Sequence, residues 1–438
     1  MRRNEGGSMH NILDYLDWRG DLSFEQDSLN VVDNLILSAL SYLDYDGLVS
    51  FKAEEGIVTL SEIADRVIDA IDFEAGYAKN YFFRQIPELL SRASKTIRFG
   101  SIGLSGYVNR IEFEKSEQFS AIVFSIAKNQ HYIAFRGTDD TLIGWKEDLQ
   151  MSFMEEVQAQ RDAVAYVNYI VPSLEGRLYL GGHSKGGNLA VYVAVSAEKE
   201  LQDRIVSVYN NDGPGFQPKF IHRLGYRRML NRITTTVPKT SIVGILLEHR
   251  EEYAVVNSDS KGILQHNVFS WEVKGNQFVN VESLDKYSVN FNKAIKLWLN
   301  KLSLEEREQF VEELFNIIYA AGSMTVSGLS TDGLSSAEGM LKAYKNMDSD
   351  ARKFMRKMVA IFFGESQRVI KHSIGKNIDS IIAKRKLRTR PLRVEVNTES
   401  LVDTDSNTNI DNEVKTANTD NKINIDNKDN AVNLDNIS

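Results

Sequence analysis

Cysteine is absent from all 438 residues. That excludes disulfides, a thiolate nucleophile and cysteine-ligated metal centres, and it fits a reducing compartment. No apolar run approaches the ~20 residues needed to cross a bilayer. The longest, Met358 to Phe363, reads as one helix face. The opening stretch Met1 to Met9 carries charge with no apolar segment behind it, so no signal peptide is expected and the expected location is cytoplasmic. Basic residues are not in excess. The net charge is −8, which argues against a dedicated nucleic-acid binder. No histidine pair stands at metal-ligand spacing, and neither a P-loop nor a G-x-G-x-x-G fingerprint occurs, so no metal and no cofactor is expected.

What remains is the composition of a globular chain, 42% hydrophobic and 26% charged. Its length allows one large domain with an accessory region. Residues 10–98 read as helical: Ser28 to Leu43 repeats apolar residues at three-and-four spacing, and Thr59 opens another helix. From residue 99 to 285 strand-like runs alternate with helices. The runs are Phe119 to Ile126, His131 to Phe135, Arg177 to Gly181, Arg204 to Asn210 and Ile233 to Val237. A closing hairpin is expected over Val268 to Val273 and Gln277 to Val281. That alternation predicts an α/β domain with a mainly parallel sheet. Residues 286–393 turn helical again. Ser303 to Glu306 forms a capping box that opens a helix to about Ala321. Thr325 to Ser336 reads as a loop, and Asp350 to Phe363 and Gln367 to Lys386 as two further helices. Residues 394–438 repeat Asn, Asp, Thr and Ile without an aromatic. Such a tract buries too little apolar surface to offset its ordering entropy, so a disordered tail is expected.

The most informative segment is Gly182-His183-Ser184-Lys185-Gly186. It spells G-x-S-x-G, a serine on a tight strand-to-helix turn. Arg177 to Gly181 supplies the strand and Gly187 to Val195 a small-residue helix. Such a turn lifts the Ser184 hydroxyl above the sheet, beside the free N–H groups of a helix start. The competing reading is an inert serine in a glycine-rich turn. An activated serine also needs an oxyanion hole, an imidazole base and an acid that orients the base.

Three motifs in this order resemble the class 3 lipases, a fungal-lipase-like branch of the α/β hydrolases. They are Phe135-Arg136-Gly137-Thr138, Trp145-Lys146-Glu147-Asp148 and Gly182-His183-Ser184-Lys185-Gly186-Gly187. The resemblance covers roughly residues 95–285. The segments Leu13 to Tyr15, Val32 to Leu43 and Asp212 to Phe216 are also similar to a bacterial group of the same superfamily. The resemblance implies an α/β-hydrolase fold. It puts Thr138, by its N–H and its hydroxyl, and the Lys185 N–H in the oxyanion hole; a strand-end cap is the other reading of Thr138. Trp145 and Asp148 are expected to pack and tie the following helix. His266, in a loop before a short aromatic segment, matches the family's histidine. His249 lies among charges and is expected on the surface, while His183 is expected to be packed and hydrogen-bonded rather than a base.

The acid departs from the family. Its D-x-V-P motif corresponds to Thr235-Thr236-Val237-Pro238, with threonine for aspartate. Asp212, directly after the strand that follows the elbow helix, is the best substitute, with Asp259 the alternative. Asp-Gly-Pro-Gly is also a plain turn sequence. The expected activity is that of a serine ester hydrolase on acyl lipid or another carboxylic ester, through Ser184, His266 and Asp212. The alternative is a non-catalytic protein of this fold that binds lipid or a protein partner. Two basic segments are set apart: Phe216 to Arg232, where apolar and cationic residues interleave, and Lys384 to Arg390. Each reads either as an ordinary surface helix or as a peripheral membrane-surface contact.

Overall fold

The fold is described from a computed structural model, over residues 9–52, 56–72, 81–112, 117–139, 141–322, 325 and 333–388. Alternation along its strands decides what each face of the sheet covers. On β3 (Glu117–Ala127), Ile122 and Phe124 point to one side, Ala121 and Val123 to the other. On β4 (Gln130–Phe135), Tyr132 and Ala134 join the first set, Ile133 and Phe135 the second. Both sets are buried, so both faces need cover. The first is covered by the N-terminal helices α1 (Ile12–Arg19), α2 (Val31–Leu40), α3 (Leu60–Asp69) and α4 (Tyr81–Ala93). The second is covered by α5 (Gln158–Ile170) and α6 (Lys185–Ser196).

Eight strands form the sheet in chain order. β1 (Val58–Thr59), β2 (Gly103–Glu112), β3 and β4 pair antiparallel. From β4 onward, β5 (Arg177–His183), β6 (Ile205–Asn211), β7 (Ile233–Pro238) and β8 (Tyr253–Val256) are all parallel. The chain thus has the expected α/β architecture, a mostly parallel central sheet between helical layers. β1 inside the N-terminal region, β2 and β8 were not anticipated. β2 carries Gly106 at φ +66 and a bulge between Ser105 and Val108, which break the period-two pattern.

Several expected elements differ. The closing hairpin shrinks to Val273–Lys274 with Gln277–Phe278, because Val268–Ser270 winds into a 3-10 turn. The two C-terminal helices are one, Ser349–Arg388. Helix Gly333–Asn346 occupies part of the expected loop, most of which lies outside the described residues. The capping box at Ser303 opens Leu304–Tyr319 as expected. Phe216 to Arg232 forms two short helices, Pro218–Ile221 and Leu224–Met229. Their Phe220, Tyr226 and Met229 are buried, with Phe220 stacked on Tyr192, while Leu224 is exposed. The tail and the side chains of Lys384 to Arg390 lie outside the described residues. Chain contacts group Met1–Ile381 in one unit and Ile382–Ser438 in another. No described helix is long and apolar enough to cross a membrane.

One buried ion pair fixes the N-terminal layer. Arg98 Nη2 donates to Asp33 Oδ2 at 2.6 Å and Nε to Oδ1 at 2.7 Å, with both side chains sealed from solvent. Asp33 also closes the capping box of α2 with Asn30 and accepts the Tyr15 hydroxyl. Arg98→Ala would strand the Asp33 carboxylate, and a loss of about 3–5 kcal/mol of unfolding free energy is expected in urea titration. A loss below about 1 kcal/mol would contradict this account of the layer.

Candidate active site

Parallel strands deliver their C-terminal ends to one edge, where an open α/β sheet binds its ligands. In register, Phe135 pairs with Gly182, and His183 with Asn211. The residues that follow β4, β5 and β6 therefore meet: Gly137-Thr138, Ser184 and Asp212. The turn at Ser184 is tight. A Cβ on Gly186 would sit 2.0 Å from the Phe135 carbonyl oxygen, and one on Gly137 would lie 2.3 Å from the His183 oxygen and 3.1 Å from Ser184 Cβ. Ser184 itself takes φ +56, ψ −131, a conformation that costs a non-glycine residue about 1–3 kcal/mol. Its backbone is held by its N–H to the Asn211 carbonyl, 2.9 Å. Lys185 is the first residue of α6, so its N–H has no intrahelical acceptor.

Asp212, also at positive φ (+52), is fully buried. Its Oδ2 accepts from His266 Nδ1 at 2.7 Å, while Oδ1 accepts from the Ser241 hydroxyl and the Gly244 N–H. Donors meet both oxygens, an arrangement suited to a carboxylate. It places the imidazole proton on Nδ1 and leaves Nε2 of the neutral ring as an acceptor. His266 ends the 3-10 turn Gly262–His266 and is about a quarter exposed. Its loop is fixed twice: Trp271 Nε1 donates to the Gln265 carbonyl at 2.8 Å, and His183 Nε2 to the His266 carbonyl at 2.9 Å. With Nε2 donating, His183 Nδ1 accepts the Tyr42 hydroxyl at 3.0 Å. Burial and the neighbouring His266 hold His183 well below the ordinary histidine range, so it stays neutral.

The alternative acid, Asp259, accepts from Ser260 and is not bonded to His266. Thr235, at the family's aspartate position, donates instead to Glu251 at 2.6 Å. Glu251 also accepts the Tyr226 hydroxyl and faces His249 Nδ1 at 3.1 Å. Burial pushes the Glu251 carboxyl up, but those partners outweigh it and hold it down at about 2. His249 is therefore not the surface residue expected from its charged neighbours; its side chain is 6% exposed. Trp145, expected to pack, is 39% exposed.

Sequence reasoning missed two supports. One is a polar stripe on and just past α2. Asn34 Nδ2 meets Asn211 Oδ1 at 3.1 Å, Ser38 Oγ lies 2.9 Å from the Tyr132 hydroxyl, and Tyr42 reaches His183. Spacing i, i+4, i+8 on an otherwise apolar helix was the available signal. The other lies beneath the elbow. Lys185 Nζ donates to Glu147 Oε2 at 2.7 Å, the Gln118 carbonyl at 2.8 Å and Gln118 Oε1 at 3.0 Å, all out of solvent. Glu147 Oε1 in turn accepts the Ala159 N–H at the start of α5. Glu147 sits on the helix Leu142–Gln150, and the next residue of that helix, Asp148, accepts the Thr138 hydroxyl at 2.6 Å. The elbow and the Thr138 loop thus share one ion pair. Glu147→Gln leaves a buried ammonium without its anion, and about 3–5 kcal/mol of stability should be lost in urea. Lys185→Met with Glu147→Leu should regain most of it. Equal losses in both variants would contradict a charge-pair origin.

Solved lipase structures are similar to parts of the chain. The M37 lipase shares 15% identity at TM-score 0.30, over 48% of this chain and 68% of its own. A fungal lipase–inhibitor complex shares 15% at TM-score 0.30, over 46% and 82%. The lipase of Rhizopus microsporus var. chinensis shares 15% at TM-score 0.28, over 45% and 76%. No curated protein matches the chain. The Mbeg1-like family model matches residues 93–316, more than half of the sequence and the whole span from β2 to β8, and the chain belongs to the Mbeg1-like family.

Proposed function

We propose that the chain is a serine ester hydrolase that works through an acyl-enzyme. The observation that carries this reading is the 2.7 Å bond from His266 Nδ1 to a fully paired Asp212, at the strand edge that also bears the strained Ser184. In the reaction, Ser184 Oγ adds to the ester carbonyl carbon while His266 Nε2 accepts its proton. The carbonyl electron pair moves to oxygen, where the N–H groups of Thr138 and Lys185 meet the charge. An oxyanion donor of this kind contributes about 3 kcal/mol to the transition state. The tetrahedral intermediate collapses, the C–O bond of the leaving alcohol breaks, and His266 returns the proton to that oxygen. Water, deprotonated by the same Nε2, then releases the carboxylic acid and restores Ser184. Asp212 keeps Nε2 free as acceptor and stabilises the imidazolium that forms.

Acyl lipid is the proposed substrate class, on the strength of the class 3 lipase motifs. A non-catalytic binding protein has no use for this arrangement. It would not require a carboxylate fixed on one imidazole nitrogen beside a serine at positive φ. The acid one strand earlier than the D-x-V-P position explains why Thr235 can serve a different cluster.

The test is hydrolysis of 4-nitrophenyl esters graded in acyl length, with lipid dispersions alongside. Ser184→Ala and His266→Ala should each lose at least about 10³-fold in kcat, and Asp212→Asn about 10⁴-fold through the wrong tautomer. Undiminished hydrolysis in Ser184→Ala would reject Ser184 as nucleophile. An inactive folded wild type across the series would reject the esterase reading.

A further inference from the structure

Two aspartates flank the site, and their surroundings differ. Asp212 receives donors on both oxygens. Asp148 has one: Oδ2 faces Thr138 Oγ1 at 2.6 Å, while Oδ1 is sealed from solvent with no hydrogen-bond partner. A carboxylate with an unmet buried oxygen is costly, and such a group neutralises where it can. Thr138 permits this, because a hydroxyl can accept as well as donate. The direction of one short hydrogen bond therefore depends on a proton. With Asp148 ionised, the Thr138 O–H is committed to Oδ2. With Asp148 neutral, the carboxyl O–H donates to Thr138 Oγ1, and the threonine proton is free to turn elsewhere.

Resting on the esterase reading above, we propose that Asp148 is a protonation switch for the oxyanion hole. Its neutral form releases the Thr138 hydroxyl toward the ester oxyanion as a third donor; its ionised form withdraws that donor and leaves only the two N–H groups. No bond is made or broken in the switch beyond transfer of one proton from solvent to Asp148 Oδ2. Thr138 is then the group that touches the reacting oxygen, and Asp148 is a positioning residue.

The surroundings set where the switch operates. Burial raises the Asp148 carboxyl to about 6. Against it work the buried Lys185 ammonium on α6, the Thr138 hydroxyl after β4, and His266 when charged. Glu147 on the same helix adds to the rise. The Tyr42 phenol and, beyond it, Arg136 and Asp139 share the neighbourhood. Asp148 thus holds its proton at pH 5 and has lost it by pH 8. The third donor is present on the acid side and withdrawn on the alkaline side.

The experiment measures kcat/KM for one 4-nitrophenyl ester from pH 5 to 8.5 in wild type, Asp148→Asn, Thr138→Val and the double variant. The amide of D148N keeps an N–H donor beside Thr138 Oγ1 at every pH. D148N also removes a charge that His266 senses, and the T138V background, where the hydroxyl is absent, separates that effect from the switch. The ratio of D148N to wild type is expected to rise with pH through about 6, by about 10²- to 10³-fold, the range set by one oxyanion donor. In the T138V background the same ratio should stay flat. A pH-independent ratio, or a rise that survives T138V, would overturn the switch. Carbon-13 NMR of aspartate-labelled wild type against D148N reads the carboxyl directly and needs no turnover. Titration near 6 is expected, and titration below 4.5 would overturn the proposal even in an active enzyme. A protein with the raised titration and no hydrolysis in any variant would instead reject the esterase reading, and the switch with it.

Discussion

The ion pair between Lys185 and Glu147 is the interaction on which the site's geometry turns. It joins Lys185, the residue after Ser184, to the helix that carries Asp148, and through Glu147 Oε1 to the start of the next helix. Two charges leave water to make it, a cost recovered only when every remaining donor and acceptor is met. Gln118 meets two of the Lys185 protons, and the Ala159 N–H meets the second Glu147 oxygen. A surface position for Lys185 would leave the elbow and the Thr138 loop attached only through the sheet. The same logic of complete pairing separates Asp212 from Asp148. One receives three donors; the other receives one, and burial raises its carboxyl.

Rigidity at the site comes from three directions. Glycines at 137 and 186 let backbone approach backbone at distances no Cβ would tolerate. The α2 stripe of Asn34, Ser38 and Tyr42 grips Asn211 at the end of β6 and His183 at the end of β5. His183 then holds the carbonyl of His266, so the His266 loop is tied to the residue next to Ser184. The N-terminal helices are therefore part of the site's scaffold as well as cover for the sheet.

Much of the frame was legible in the sequence because its signals are local. The G-x-S-x-G turn, the capping boxes and the strand–helix alternation each lie within a few residues. Asp212 and His266 were picked out by the lipase resemblance together with their order along the chain, and the fold brings the two within one hydrogen bond. The missed features join distant positions. Lys185 and Glu147 are far apart in sequence, and nothing local marks lysine as buried. His249, flanked by Glu248 and Arg250, reads as surface until Glu251, Thr235 and Tyr226 close around it. The single helix Ser349–Arg388 read as two, with a break across Gly364, yet a helical glycine costs only about 1 kcal/mol and a Cβ added there would meet nothing within 4 Å. The bulge at Gly106 hid β2 in the same way, by breaking a pattern without ending the strand.

The central claim is that Ser184 is a nucleophile made reactive by His266. The measurement that tests it most directly is intact-mass analysis after brief exposure to a fluorophosphonate, with the adduct mapped by peptide sequencing. The account predicts one phosphonyl group, on Ser184, forming at least about a hundredfold more slowly when His266 is alanine. A folded wild type that gains no mass, or gains it on another residue, would contradict it.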